Sequence, residues 1–301
     1  MISKNDLDEK IEAIQECENC QDIQIKKFSP IKDYADYENL NDDFKRCSCG
    51  KRPIDVVMAH ILKIMIEEEI VSDTATLRRN SPVPLSKFYY SSLNPQFLAK
   101  ESLILLHPDF NTKVAARLFD EVSEVACVLK GSPQDTVGVL DRDCDINHFE
   151  ILVGDDTQIN VMRTLIGDKI ILVKNQSRHH IEVAMTTEQK LVQLHNYIKN
   201  NNVKKGIAID AMCGLGAIGI YLLKSGFEKV IFNDINPEMI DALKNNLQIN
   251  EISGNYEIFN KSFEDLQIDN VDLCVIDAFP GVDIEEITKK AEQIADDVVI
   301  I

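Results

Sequence analysis

Residues 206–226 read Gly206-Ile-Ala-Ile-Asp210-Ala-Met-Cys213-Gly214-Leu-Gly216-Ala-Ile-Gly219-Ile-Tyr-Leu-Leu-Lys224-Ser-Gly226, and after two residues comes Lys229-Val-Ile-Phe-Asn-Asp234. The apolar run Ile207 to Ile209 predicts a short strand buried on both faces. Gly214 and Gly216 allow a tight turn and a close backbone approach, because neither carries a Cβ. An apolar helix over Ala217 to Lys224 follows, then a second strand with an acid at its tip, then a helix opening at Asn236-Pro237. Strand, glycine turn, helix and strand in this order place a ligand crevice at the carboxyl ends of a parallel sheet.

The acids narrow the ligand. Asp234 falls about 20 residues after the glycines, where a carboxylate accepts hydrogen bonds from ribose hydroxyls. A dinucleotide site would read G-x-G-x-x-G and seat a pyrophosphate on the helix N-terminus. Here the pattern is D-x-x-C-G-x-G, led by Asp210, which would repel pyrophosphate and attract an ammonium group. S-adenosylmethionine carries such an ammonium and no phosphate. The residues resemble motif I of the class I S-adenosylmethionine-dependent methyltransferases; the plainer alternative is an ordinary nucleotide-binding βαβ unit. The resemblance implies that Asp210, Cys213, Gly214, Gly216, Asp234 and Ile235 surround the cofactor. Cys213 by itself reads as a packing residue, since nothing nearby would activate it.

The chain has 301 residues, enough for two or three domains, and its apolar content of 45% is that of a globular protein. No apolar run approaches the about 18 residues of a membrane helix, and no leader-like segment is seen, so we expect a cytoplasmic protein without membrane contact. The net charge of −18 disfavours broad electrostatic binding to nucleic acid, though not a local basic patch. Eight cysteines in a chain this long do not form a secreted disulfide pattern. Four of them cluster as Cys17-Glu-Asn-Cys20 and Cys47-Ser-Cys49-Gly50. Four thiolates can hold zinc tetrahedrally; the alternative is four unrelated reduced thiols on a charged segment. Cys127 and Cys274 read as core fillers, and Cys144 is assigned no role.

Around the central unit, the pattern predicts a helix near Leu7 to Ile14 and another starting at Pro53, with Val56, Val57, His60, Ile61, Ile64 and Met65 on one face. Lys51 and Arg52 read as its solvated start. Asn80 to Pro95, with three prolines, reads as an irregular connector or edge strand. From Glu101 a small α/β sheet is expected: strands at Ser102 to Leu106, Val125 to Leu129, Phe149 to Val153 and Asp168 to Val173. A helix over Asn111 to Val122 turns Val114, Ala115, Leu118 and Phe119 inward. His179-His180 with Glu182 reads as a polar surface rather than a metal site.

His148-Phe-Glu-Ile-Leu-Val-Gly154-Asp-Asp-Thr157, Gly167-Asp-Lys-Ile-Ile-Leu-Val173 and Asn233-Asp-Ile-Asn-Pro237 carry a closer resemblance. Together with Asp210 they are similar to the archaeal and eukaryotic tRNA guanosine N1-methyltransferases. The aminocarboxypropyl transferases of wybutosine synthesis share that layout, so either group could be the one transferred. The resemblance runs from about Glu101 to Ile276 and implies a small α/β domain packed before a methyltransferase core. Members carry an arginine- and aromatic-rich segment between the domains; Lys174-Asn-Gln-Ser-Arg178-His-His180 keeps Arg178 and few aromatics. By that resemblance Arg178 and Lys174 would contact tRNA phosphate.

The core continues with helices at Thr187 to Lys199 and Glu238 to Ile249, and with strands at Tyr256 to Phe259 and Val271 to Ile276. Ser262 and Phe263 fall where the family fold surrounds the adenine, Phe263 either stacking on the base or filling the core. The fourth strand ends in Asp277-Ala-Phe279-Pro280-Gly281, where the family has an Asn-x-Pro motif. In composition this stretch resembles the Asp-Pro-Phe-Gly and Asp-Pro-Pro-Tyr motifs of amine methyltransferases. Asp277 is then the candidate proton acceptor, Phe279 a stacking surface and Pro280 a stiffener of the loop. Asp283 would cap the next helix, and Val298 to Ile301 is a fifth strand beyond which no sequence remains for an edge hairpin. An open sheet edge there invites association.

The expected architecture is α/β, a Rossmann-like class I methyltransferase core with or without its last two strands. Three parts are expected: an N-terminal segment over 1–100 with the cysteine cluster and a helix, a small α/β domain over 101–185, and the cofactor-binding domain over 186–301. The expected activity is methyl transfer from S-adenosylmethionine to a tRNA base. A protein side chain or small metabolite as acceptor, or a non-catalytic binding module, remain the alternatives.

Overall fold

The computed structural model describes residue 9 and residues 14–90, 96–138, 146–182, 184–278 and 283–301. Phe279, Pro280 and Cys144, part of the connector before residue 96 and most of the helix expected near Leu7 lie outside the described residues.

In chain order, β1 (Arg52–Pro53) leads into α1 (Ile54–Glu67), and β2 (Val83–Ser86), β3 (Phe88–Tyr90) and β4 (Phe97–Leu98) follow. Then come β5 (Leu103–His107), α2 (Thr112–Glu121), β6 (Val125–Lys130), β7 (Glu150–Gly154), β8 (Thr157–Arg163) and β9 (Lys169–Asn175). The last part holds α3 (Ala184–Asn200), β10 (Ile207–Asp210), α4 (Ala217–Lys224), β11 (Lys229–Asn233) and α5 (Pro237–Ile249). It continues with β12 (Tyr256–Phe259), β13 (Val271–Ile276), α6 (Glu285–Ile294) and β14 (Ala295–Ile300).

The last part forms a five-stranded parallel sheet in the order β12-β11-β10-β13-β14. Strand order reverses beside β10, so the crevice opens at the carboxyl ends of β10, β11 and β13. This is a Rossmann-like α/β architecture. Among the described residues β14 pairs only with β13, which leaves one sheet edge open.

Local chemistry fixes the elements around the crevice. Asn236 Oδ1 accepts from the Glu238 amide at 2.9 Å and Pro237 occupies the first turn, so α5 starts where the sequence indicated. Leu191, Leu194 and Ile198 of α3 face inward, at most 7% exposed. Gly219 lets α4 close onto β11: a Cβ there would lie 2.1 Å from Cε1 of fully buried Phe232. We therefore expect Gly219→Ala to lower stability by about 1–2 kcal/mol, overpacking outweighing alanine's better helix propensity. Urea denaturation checks this, and an unchanged midpoint would contradict the close packing.

Packing does not follow divisions at residues 100 and 185. Helix α1, with ten of its fourteen side chains buried, shares one core with Leu103, Leu105, Val114, Leu118, Val125 and Val128. The N-terminal segment and the β5–α2–β6 unit are thus one lobe. Met162, Ile170 and Leu172 of β8 and β9 pack instead with α3, α4 and the five-stranded sheet. The middle strands accordingly split into two sheets, of order β2-β5-β6-β7 and β3-β8-β9. The stretch Asn80 to Pro95 supplies edge strands to both, separated by Lys87 alone. Strand β8 was not legible because its inward Gln158 and Asn160, 1% and 5% exposed, break the apolar alternation.

Three expectations are corrected. Phe119 is 38% exposed rather than inward. Arg52 is no solvated helix start: it is wholly buried, with Nε 2.9 Å from Glu124 Oε1 and Nη2 bonded to Oε2. His179 is buried, its Nδ1 2.7 Å from the Asn175 carbonyl, so only His180 of that pair is exposed.

No helix among the described residues is long and apolar enough to cross a membrane.

Candidate active site

Three carboxylates gather at the tips of three adjacent strands. Asp210 ends β10, Asp234 follows β11 by one residue and Asp277 follows β13 by one. Asp210 is fully buried; its Oδ2 accepts from the Gly219 amide at 2.9 Å, while its Oδ1 has no partner among the described residues. Burial pushes its carboxyl up to about 8, with Asp277 and Asp234 adding to the rise and the Gly219 N–H opposing it. Burial also raises Asp234, against the pull of two amides: Asn236 N–H donates to Oδ1 and Gly214 N–H to Oδ2, each at 2.8 Å. Each oxygen keeps a lone pair for a further donor.

The glycine turn follows from the same contacts. Gly214 and Gly216 sit at φ +47° and +91°, in the left-handed region that costs other residues. Cys213 donates its amide to the Asn233 carbonyl at 2.8 Å, and Gly216 to the Cys213 carbonyl at 2.7 Å. The Cys213 thiol is buried in the core, which holds it well above the usual thiol range. It packs, as its surroundings in the sequence suggested. Asn233, 1% exposed, donates to the carbonyls of Ala211 and Lys261 and so ties three loop tips together. A cleft of about 190 Å³ opens beside this turn, with Asn233, Asp234, Ile235, Ser262 and Phe263 among its walls. Ile235 presents a 53% exposed apolar side chain next to Asp234. Phe263 is 4% exposed and packs with Ile231 and Leu266, so it fills the core while walling the cleft.

Beyond β13 the structure adds residues that sequence reasoning had not placed here. Lys190 of α3 donates to Asp277 Oδ2 at 2.9 Å and pairs with Glu182 Oε1 at 2.9 Å. Burial lowers the Lys190 ammonium, but Glu182 and Asp277 together raise it above its ordinary value. Burial raises Asp277, with Lys190 pulling the other way. Nothing local in the sequence links residues 182, 190 and 277; only the chain crossing between α3 and β13 joins them.

Lys174 is corrected. It is 4% exposed, and its ammonium donates to the carbonyls of His180 at 3.1 Å and Glu182 at 3.4 Å, so it does not face a phosphate. Burial lowers it to about 8. It holds the backbone of Glu182, whose side chain meets Lys190. Arg178 is exposed, with Nη1 3.2 Å from Glu238 Oε1, and His148 Nε2 lies 3.0 Å from the other oxygen. Behind the turn, Asn246 Nδ2 donates to the Leu215 carbonyl while its Oδ1 accepts from Val173 N, at 3.0 and 2.9 Å. Asn250, at the end of α5, brackets the backbone of Ile171, so Asn246 and Asn250 together cover the edge of β9.

Comparison with known proteins gives two curated relatives. One is a tRNA (guanine(37)-N(1))-methyltransferase of Trichomonas vaginalis, 34% identical over 96 residues, 30% of this chain and 25% of the relative. The other is a tRNA (guanine(26)-N(2))-dimethyltransferase of Aeropyrum pernix, 43% identical over 67 residues, 21% of this chain and 16% of the relative. The chain resembles tRNA methyltransferases. The matches span a quarter or less of those relatives' length. No protein-family profile matches the chain. Among solved structures, the tRNA m1G37 methyltransferase of M. jannaschii aligns at 13% identity and TM-score 0.46, over 80% of this chain and 61% of that one. TYW2 of P. horikoshii in complex with MeSAdo aligns at 18% identity and TM-score 0.43, over 78% of this chain and 75% of that one.

Proposed function

We propose that this chain is an S-adenosylmethionine-dependent methyltransferase whose acceptor is a tRNA base. The observation that carries the reading is the convergence of Asp210, Asp234 and Asp277, with the buried Asp210 Oδ1 lacking any partner among the described residues. A buried unpartnered carboxylate oxygen costs free energy that a cationic ligand group recovers. The same charges would repel the pyrophosphate of a dinucleotide. S-adenosylmethionine fits this donor set: Asp210 and the Gly214–Gly216 turn would hold its amino-acid end. Asp234 and Ile235 would hold the ribose and base side, with Ser262 and Phe263 walling the adenine. When bound, it supplies a methyl group activated by a sulfonium.

The chain's own residues then position and deprotonate the acceptor. Lys190 fixes Asp277 at the tip of β13, and Lys174 fixes the backbone that carries Glu182. Either carboxylate can take a proton from a ring or exocyclic N–H as the acceptor nitrogen is methylated. The raised Asp277 makes that step more effective as pH rises through its shifted range. A tRNA acceptor is supported by the two curated relatives, both named for tRNA guanines.

The test is transfer of label from a methyl-labelled donor to bulk tRNA. Asp277→Asn is expected to cut turnover by about 10²–10⁴-fold while cofactor binding persists. Raising salt from 50 to 200 mM should weaken RNA binding about tenfold or more. Unchanged turnover in the variant would remove Asp277 from the chemistry, and a flat salt response would argue against RNA.

A further inference from the structure

We infer that Cys17, Cys20, Cys47 and Cys49 hold one structural zinc ion, which staples the irregular N-terminal segment to the β5–α2–β6 lobe. The sulfurs Cys17–Cys20, Cys17–Cys47 and Cys20–Cys49 lie 3.7, 3.5 and 3.7 Å apart, and all four lie within 4.8 Å of one another. A disulfide would need about 2.05 Å. Four thiolates about 2.3 Å from one zinc ion stand about 3.8 Å apart along the edges of a tetrahedron, close to the three short separations, and the remaining ones stay within 4.8 Å. Two turns present the pairs. The Cys20 amide donates to the Cys17 carbonyl at 3.0 Å and the Gly50 amide to the Cys47 carbonyl at 2.8 Å, with Gly50 at φ +85°.

The segment needs such a tie. Among the described residues, 15–50 contain two short 3₁₀ turns and neither strand nor α-helix. They enter the core through few side chains, Ile25, Ile31 and Leu40 among them. A segment with so small a core share is commonly stabilised by a metal or disulfides. The cysteine turn is also wired to the lobe. Arg46 Nη1 donates to the Gly50 carbonyl at 2.6 Å and to Glu124 Oε1 at 3.1 Å, and Arg52 reaches the same carboxylate from within the core. Fixing the two cysteine pairs therefore fixes the chain around Glu124, immediately before β6. On binding, each thiol gives its proton to solvent as its sulfur forms a coordinate bond, with no change in oxidation state.

The full chain purified without added metal is expected to carry about one zinc per molecule by elemental analysis, the stoichiometry of a four-thiolate site. Stripping the zinc with a chelator should abolish hydrogen-exchange protection over 15–50 and leave 207–276 protected. The double variant Cys20→Ser/Cys49→Ser should lose at least about tenfold in zinc content and reproduce that pattern. Metal-free protein with 15–50 protected would overturn the inference. So would iron in place of zinc, or zinc whose removal leaves that protection intact.

Discussion

Replacing Asp210 by asparagine is expected to lower affinity for S-adenosylmethionine by on the order of a hundredfold or more, because it removes one partner of a buried charge pair. The same residue makes binding depend on pH. An unfolded aspartate titrates near 3.9, whereas Asp210 in the folded chain is pushed up to about 8. Between those values the folded chain holds the extra proton, so the contribution of Asp210 to stability is full below about 4 and is lost as pH rises to about 8. A ligand ammonium selects the ionised form. Binding below pH 8 should therefore expel close to one proton, and affinity should climb by up to about tenfold per pH unit before levelling off. Calorimetry in two buffers of different ionisation heat reads that proton directly. Asp210→Asn should abolish both the release and the slope, and wild-type affinity that is flat between pH 6 and 8 would contradict the account.

Glu124→Gln should be the most destabilising single change outside the crevice. Glu124 and Arg52 are both wholly inaccessible, and Arg46 shares the carboxylate. Breaking a buried pair from one side typically costs about 3–5 kcal/mol, since the remaining charge stays buried without its partner. That is a large part of the about 5–15 kcal/mol that holds an ordinary domain folded. Replacing both partners, Arg52→Met with Glu124→Met, should recover much of the loss, because no uncompensated guanidinium remains at position 52. Urea unfolding of the three proteins checks this. A Glu124→Gln variant within about 1 kcal/mol of wild type would mean that the pair is not closed off from water, since exposed pairs contribute about that much or less.

The crevice was largely legible because its signals are local. Two glycines, an acid before them and an acid about 20 residues after them lie within one βαβ unit, and the alternation of apolar strand and helix runs indicates a parallel α/β sheet. Interactions spanning long sequence separations were not legible. Arg52 looked solvated because its partner Glu124 lies 72 residues away. Lys174 looked like a phosphate ligand because local sequence does not show that its ammonium turns inward to two carbonyls. Strand β8 hid behind Gln158 and Asn160, whose amides bond to the Ser86 carbonyl and to each other and so make polar residues acceptable inside. The cysteine cluster was half legible: each pair announced itself, but only the fold brings residues 17 and 47 to 3.5 Å.

The central claim, methyl transfer to RNA, is tested most directly by one assay. The chain is incubated with a methyl-labelled donor and cell extract, with and without prior digestion by ribonuclease. The account predicts label in the tRNA fraction of the intact extract and none after digestion. Label that survives complete RNA digestion would contradict it and identify a protein or small-molecule acceptor, while binding of the donor without any transfer would make the chain a non-catalytic module.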